Sequence, residues 1–117
     1  MADGPTIDTV RSRSVGLPGR ALNSARTQHF VLDSPGGPNE ALTTVEAFLA
    51  GISACGVTLI EKHARETEVP LRHLEVKVSG VRGPDDPTRF QRIDISFEIA
   101  GVDAQQAARL VEVWQAR

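Results

Sequence analysis

The sequence contains one cysteine, Cys55, at the middle of the stretch 43–66, TTVEAFLAGISACGVTLIEKHARE. A cysteine thiolate is a nucleophile, whereas a cysteine without an activating neighbour packs as a small hydrophobic side chain. A thiolate needs a nearby cation, and a position in the middle of a helix gains nothing from the helix dipole, which acts only in the terminal turns. Nucleophilic chemistry at Cys55 therefore requires a cation from elsewhere in the fold, and simple packing is the alternative.

The stretch 43–66 is predicted to be a long helix. Thr43 and Glu46 have the spacing of a capping box, in which each side chain satisfies a backbone N–H group at the start of a helix. One helix face carries the apolar side chains Phe48, Ile52, Cys55 and Leu59. The other faces hold mostly alanine, glycine and serine. A helix that is apolar or small nearly all round is a buried helix.

The remaining segments are predicted to surround this helix with strands. Glycine- and proline-rich turns separate two hairpins, and a second capping box, Asp103 to Gln106, opens a final helix. The predicted elements are strands at 6–15, 21–32, 71–81 and 90–100 and helices at 43–66 and 104–117. The order ββαββα, with antiparallel strands around a long central helix, defines an α+β fold in a single domain, 1–117.

Two hairpins and one short helix cover only about half of an all-apolar helix. The simplest way to cover the rest is an intertwined homodimer, in which two central helices pack together under strands from both chains. The partner of this chain is therefore expected to be a second copy of itself.

Composition excludes several classes of function. A net charge of −2 gives no reason to expect nucleic acid, and four Phe, one Trp and no Tyr are a poor set for stacking bases. The run 45–60 is shorter than the roughly 20 apolar residues that span a bilayer, and the N-terminus lacks a secretory signal, so no membrane partner is expected. A lone cysteine fits a reducing compartment, and we predict a cytoplasmic protein. No histidine, cysteine or carboxylate spacing indicates a metal site, and no phosphate-binding loop is present, so no cofactor is expected.

The segments DSPGGP, LTTVEAFLA and Ala54-Cys55, followed by LEVKVSG and RFQRIDISFEIAG, resemble the OsmC/Ohr family of osmotically inducible and organic hydroperoxide resistance proteins. The resemblance covers nearly the whole chain, although Thr44 stands where the family usually has proline. It implies an intertwined dimer with two active sites at the subunit interface. It also implies thiol-dependent reduction of organic or lipid hydroperoxides, with Cys55 as the nucleophile and a dithiol as the external reductant.

Arg20 is the predicted activator of Cys55, because Gly19-Arg20 resembles the glycine-arginine loop of the family. The alternative is that Arg20 is a solvated turn residue, in which case Arg13 or Arg26 would replace it. Glu46 lies nine residues before Cys55, roughly 13 Å along the helix and on the opposite face, so the two side chains cannot meet within one chain.

Glu46 therefore has two possible roles: to position the arginine across a dimer interface, or only to cap the helix. In the hydroperoxide-resistance branch of the family the catalytic Glu stands one position earlier, where this chain has Val45. Glu46 is kept as the third candidate site residue, beside Cys55 and Arg20.

The family pattern also includes a second, resolving cysteine in a Cys-Pro-Val motif. This sequence has one cysteine and stops at Arg117, about where that motif would follow, and we expect that the protein continues beyond it. If no second cysteine exists, the alternative function is a non-catalytic dimer that binds a small apolar ligand at the subunit interface.

Overall fold

The computed structural model describes residues 4–115, which form two antiparallel sheets and two helices. Its elements are β1 (Arg11–Ser14), β2 (Arg20–Ala25), β3 (Gln28–Asp33), α1 (Thr44–Glu66), β4 (His73–Val81), β5 (Arg92–Ala100) and α2 (Ala104–Gln115). The predicted α+β class is confirmed. The chain divides into two compact units, one up to Ala47 and one from Phe48 onward. The single domain 1–117 stays a prediction.

The predicted order ββαββα lacks one strand, because the predicted strand 21–32 is two strands. They are β2 and β3, which pair antiparallel across a two-residue turn, Arg26-Thr27, with Ala25 opposite Gln28. Arg26 adopts a φ of 56°, a conformation that usually requires glycine or asparagine. Neither Arg26 nor Thr27 is a typical turn residue. The sequence pattern therefore predicts one continuous strand across the turn. The first sheet therefore has the order β1-β2-β3, and β1 is shorter than the predicted strand 6–15.

Two glycine-containing loops touch back to back in the first unit. Gly19 has a φ of +82°, and a Cβ on it would lie 2.7 Å from the Cα of Gly37. The N–H of Ser34 donates to the carbonyl oxygen of Gly19 over 2.7 Å. Any side chain at either glycine would separate the loops. This contact fixes the backbone immediately before Arg20.

The second sheet consists of the predicted hairpin, with β4 and β5 paired over all nine residues, from His73 opposite Ala100 to Val81 opposite Arg92. The helices close the core of the second unit through three buried side chains, Ile60, Ala64 and Leu110. Partly buried apolar side chains surround them, at Val69, Leu71, Leu74, Phe97 and Trp114.

Both predicted capping boxes are present. The N–H of Thr43 donates to Glu46 Oε1 over 2.9 Å, and the N–H of Glu46 donates to Thr43 Oγ1 over 3.1 Å. The same reciprocal pair joins Asp103 and Gln106 over 3.1 Å and 2.8 Å. These bonds explain why α1 and α2 begin where the sequence predicts. The predicted last residues of the second helix, 116–117, lie outside the described residues.

Helix α1 is largely uncovered within one chain. It buries only Gly56, Ile60 and Ala64, all in its C-terminal half, and Phe48 near its start is 56% exposed. The predicted burial on all sides is therefore not met by one chain, and the homodimer that would complete it stays a prediction. By length and composition alone α1 could also cross a membrane, a test that the core helices of soluble proteins pass as well.

Candidate functional site

The second unit contains an apolar cavity of about 680 Å³ beside α1. Helix α1 contributes Phe48, Gly51, Ile52, Cys55 and Leu59. The opposite walls are Ile95 and Phe97 of β5 and Trp114 and Gln115 of α2. Besides the thiol, the polar groups of the described lining residues are the Gln115 amide and the Trp114 indole N–H. A cavity of this size and character accommodates a small, mostly apolar molecule.

Cys55 is exposed and its side chain lines this cavity. Within residues 4–115, no other side chain lining the cavity is ionisable. A thiolate there would need a cation that the cavity itself does not provide. The structure thus places Cys55 where an apolar ligand can reach it, and the need for a cation from elsewhere in the fold stays a prediction.

Aromatic contacts shape the cavity. Trp114 meets Phe97 edge to face, with ring centroids 5.4 Å apart and an interplanar angle of 71°. Trp114 also packs on α1 at Gly56, where a Cβ would lie 3.5 Å from its Cε2 atom and 3.5 Å from the methyl groups of Val76. These are ordinary van der Waals distances, so the tryptophan and the sheet pack directly on the helix at position 56.

A second aromatic pair lies at the N-terminal end of the cavity. The ring of Phe90 stacks on that of Phe48, with centroids 5.9 Å apart and an interplanar angle of 17°. Sequence reasoning treated Phe90 only as the first residue of a strand, because no local pattern links it to a helix residue 42 positions earlier.

Arg20 is held by two carboxylates in the first unit. Its Nε and Nη2 atoms donate to Oδ1 and Oδ2 of Asp33 over 2.7 Å and 2.8 Å, and Nη2 also donates to Glu40 Oε1 over 3.1 Å. Arg20 and Asp33 are direct cross-strand partners at the ends of β2 and β3. Arg20 is therefore a bound side chain rather than a solvated turn residue, and its guanidinium has a fixed orientation.

Asp33 is the centre of this network. It is fully buried, and its Oδ2 atom also accepts the backbone N–H groups of Glu40 and Ala41, each over 2.9 Å. The hydrogen bonds from Arg20, aided by those backbone donors, hold the pKa of Asp33 well below its ordinary value, although burial opposes this. The bond to Asp33 correspondingly raises the pKa of Arg20.

Sequence reasoning missed Asp33 and Glu40. The prediction of one strand over 21–32 leaves out the turn at residues 26–27. Once a two-residue turn is placed there, antiparallel pairing puts position 20 opposite position 33. An arginine and an aspartate at directly opposed strand positions form a favourable cross-strand pair. The sequence could therefore have predicted the pair of Arg20 and Asp33, but only if the turn at residues 26–27 had first been placed.

The predicted roles of Arg20 and Glu46 remain open. Two carboxylates face one guanidinium, so the cluster has no net positive charge. Within residues 4–115, Nη1 of Arg20 makes no hydrogen bond and could still donate to another group. Arg20 belongs to the first unit and Cys55 to the second, so activation of Cys55 by Arg20 stays a prediction. Glu46 caps α1, and its positioning role also stays a prediction. The alternatives Arg13 and Arg26 are both exposed.

We expect the protein to lose stability in acid through Asp33. Its pKa is lowered on folding from 3.8, so between the folded and unfolded pKa values the unfolded chain binds the proton and stability rises with pH. The contribution is complete well above pH 3.8 and is lost as the pH falls through the folded value. Arg20, whose pKa is raised on folding, would lose its contribution only in strongly alkaline solution. Thermal unfolding followed by circular dichroism from about pH 6 to pH 2 measures the effect.

The Asp33→Asn variant provides the comparison for this experiment, since it removes the titrating group. Its stability should be lower near neutral pH and should fall less steeply in acid. Asp94→Asn is the matched control, because Asp94 is paired with Arg92 over 3.0 Å but both side chains are mostly exposed. An acid dependence that is equally steep in wild-type and Asp33→Asn protein would show that Asp33 is not its source.

The fold is shared with solved structures of bacterial proteins. An OsmC-like protein from Mycoplasma pneumoniae matches with a TM-score of 0.79 and 17% identity, over 99% of this chain and 84% of that chain. An organic hydroperoxide resistance protein OsmC from Legionella pneumophila matches with a TM-score of 0.71 and 16% identity, over 97% and 85% of the two chains. An organic hydroperoxide resistance protein from Elizabethkingia anophelis, with thiocyanate bound, has a TM-score of 0.71 and 15% identity, over 98% and 85%.

The architecture is thus that of OsmC-like proteins. The sequence agrees with the fold, because the family model described as OsmC-like protein matches residues 37–117. The chain belongs to the OsmC/Ohr family, as its sequence motifs predict. No curated protein matches the sequence.

Proposed function

We propose that this protein is a thiol-dependent peroxidase that reduces organic or lipid hydroperoxides in oxidative-stress defence. The observation that supports this best is the exposed thiol of Cys55 in an apolar cavity of about 680 Å³. Membership of the OsmC/Ohr family is consistent with it, as is the fold shared with organic hydroperoxide resistance proteins of Legionella pneumophila and Elizabethkingia anophelis.

The first chemical step takes place at the sulfur of Cys55. The thiolate attacks the outer oxygen of the hydroperoxide, the O–O bond breaks, and the alkoxide leaves and takes up a proton to become an alcohol. The sulfur is oxidised to a sulfenic acid while the peroxide is reduced. The apolar walls of the cavity receive the alkyl group of the peroxide and favour organic hydroperoxides over hydrogen peroxide.

An external dithiol returns Cys55 to the reduced state. Its first thiol condenses with the sulfenic acid, releasing water and forming a mixed disulfide, and its second thiol then displaces the Cys55 thiolate. In a cycle carried by the residues of the 117-residue sequence, where Cys55 is the one cysteine, the dithiol supplies both sulfur atoms. One hydroperoxide and one dithiol thus yield one alcohol, one cyclic disulfide and one water. The reducing conditions of the cytoplasm suit this cycle, and no cofactor is needed.

The active form is proposed to be an intertwined homodimer. Helix α1 leaves Phe48 56% exposed and buries only three of its residues within one chain. A second copy would cover this apolar face, and the cavity beside Cys55 would then lie at the subunit interface. The cation that activates Cys55 is proposed to be Arg20, with Glu46 as a residue that positions it.

The proposal is tested by measuring hydroperoxide consumption by the purified protein with dithiothreitol as reductant and cumene hydroperoxide as substrate. We expect multiple turnovers per protein molecule, and we expect that prior alkylation with iodoacetamide stops them, because the reagent blocks the exposed thiol of Cys55. Consumption that is absent, or that is equal in the alkylated protein, would contradict a peroxidase role for Cys55.

A second candidate function is a non-catalytic dimer that binds a small apolar ligand. The observation that favours it is that the cavity is lined by apolar groups and, within the described residues, contains no cation beside the thiol. Saturable binding of an unreactive alcohol, combined with no hydroperoxide consumption, would support this function over the peroxidase.

A further inference from the structure

Phe90 occupies a space that only glycine leaves open. A Cβ built on Gly80 would overlap Cε1 of the Phe90 ring and lie 2.7 Å from its Cδ1 atom. Gly80 lies within β4, opposite Ile93, and its φ is outside the left-handed region. The backbone there could accept any residue, so glycine serves to make room for the ring.

The ring of Phe90 supports a wall of the cavity. It stacks on Phe48, with centroids 5.9 Å apart, and Phe48 lines the cavity that contains Cys55. Within one chain Phe48 is 56% exposed, so the stack on Phe90 is an ordered contact on a side chain that is otherwise mostly open. Phe90 itself does not line the cavity. Phe90 acts on the site only by holding Phe48. Gly80 leaves room for the Phe90 ring, and the Phe90 ring in turn packs on Phe48.

Phe48 lies at a distance that separates short ligands from long ones. It precedes Cys55 by seven residues, so at about 1.5 Å per residue the two lie roughly 10 Å apart along α1. The groove between them is lined on the α1 side by Gly51 and Ile52. A ligand with a short alkyl group at Cys55 does not reach Phe48, whereas an extended alkyl chain lying along the helix does.

We propose that Phe90 is a positioning residue that fixes Phe48 as the far wall of the Cys55 cavity, so that the Gly80–Phe90 pair sets the preference of this site for long apolar chains. The inference rests on the proposed function in one respect: it requires that the cavity binds an apolar molecule. It does not require turnover.

The test measures binding of unreactive alcohols, in which a hydroxyl replaces the hydroperoxide group. Fluorescence of Trp114, the single tryptophan, reports binding because this side chain lines the cavity. Decanol represents the long ligand and butanol the short one. The Phe90→Leu and Gly80→Ala variants should each bind decanol about two- to tenfold more weakly. This factor corresponds to the free energy of one lost aromatic stack. Butanol binding should stay unchanged, so the ratio of the two affinities falls.

Two further variants separate positioning from general damage. Phe90→Tyr keeps the flat ring and should retain the wild-type ratio. Gly83→Ala is the matched glycine control: its Cβ would overlap Nε2 of Gln91, the mobile end of a flexible side chain, which can move aside. An unchanged ratio in both Phe90→Leu and Gly80→Ala would overturn the inference. A ratio reduced as much by Gly83→Ala as by Gly80→Ala would overturn it too.

The outcome is separable from that of the peroxidase proposal. If wild-type protein consumes no hydroperoxide but the decanol to butanol ratio falls in the two test variants, the peroxidase proposal fails and this inference holds. If hydroperoxide is consumed and the ratio does not change, the inference alone fails.

Discussion

Replacing Cys55 by serine should abolish hydroperoxide turnover. A serine hydroxyl is not ionised near neutral pH and cannot form the sulfenic acid on which the proposed cycle depends. Removal of an essential nucleophile lowers rates by on the order of 10³-fold or more, so the variant should show only the background reaction. The measurement is the initial rate of cumene hydroperoxide consumption with dithiothreitol, at equal concentrations of wild-type and Cys55→Ser protein.

Two observations make this result specific to the thiol. Cys55→Ser should still bind decanol, because serine is close in size to cysteine and the apolar walls are unchanged. Ser53→Ala is the matched control on the same helix: among the described residues its hydroxyl donates to the carbonyl oxygen of Ala50, over 3.2 Å, and turnover should not change. Full turnover by Cys55→Ser would mean that the reaction does not pass through this sulfur.

Replacing Ile60 by alanine should lower the free energy of unfolding by about 2–5 kcal/mol, the cost of a large-to-small change in a packed core. Ile60 is 0% exposed and forms the core of the second unit with Ala64 and Leu110. Loss of its side chain leaves a cavity beside Ala64 and Leu110 in that core. Urea unfolding at one fixed protein concentration measures the change, because a dimer would unfold in a concentration-dependent way.

Ile7→Ala is the control for that experiment. Ile7 is 79% exposed and lies outside the strands, so the same chemical change should alter the free energy of unfolding by less than about 0.5 kcal/mol. Equal effects at positions 7 and 60 would show that burial in this core is not what makes Ile60 important.

Some of the fold could be predicted because the signals are local. The capping boxes begin α1 at Thr44 and α2 at Ala104, and strict alternation defines β4 and β5. The turn at Arg26-Thr27 could not be predicted in the same way, since it holds a positive φ without glycine or asparagine. Because the turn was not predicted, the pairing of Arg20 with Asp33 could not be predicted either.

The candidate site was predictable only in part. The resemblance of the helix sequence identified Cys55, and α1 explains why Phe48, Ile52 and Leu59 share its face. The opposite walls could not be predicted, because the positions of Phe97 and Trp114 depend on how β5 and α2 pack. The roles of Gly80 and Phe90 could not be predicted for the same reason. Neither residue stands out in the sequence around it, and the proposed role depends on their contact in the folded chain.

The hydrogen bonds on Asp33 have a consequence for how this sequence can change over time. The segment from Ser34 to Glu40 contains two prolines and two glycines in an exposed loop, a place where insertions and deletions are usually tolerated. Here the end of the loop is tied back to the residue that precedes it, because the carboxylate of Asp33 accepts the N–H groups of Glu40 and Ala41. Most residues within the loop can be exchanged, Gly37 excepted because its Cβ would meet Gly19, but adding or removing one would shift those donors away from the buried charge. Apart from Gly37, the fold constrains the number of residues in this loop more than their identity.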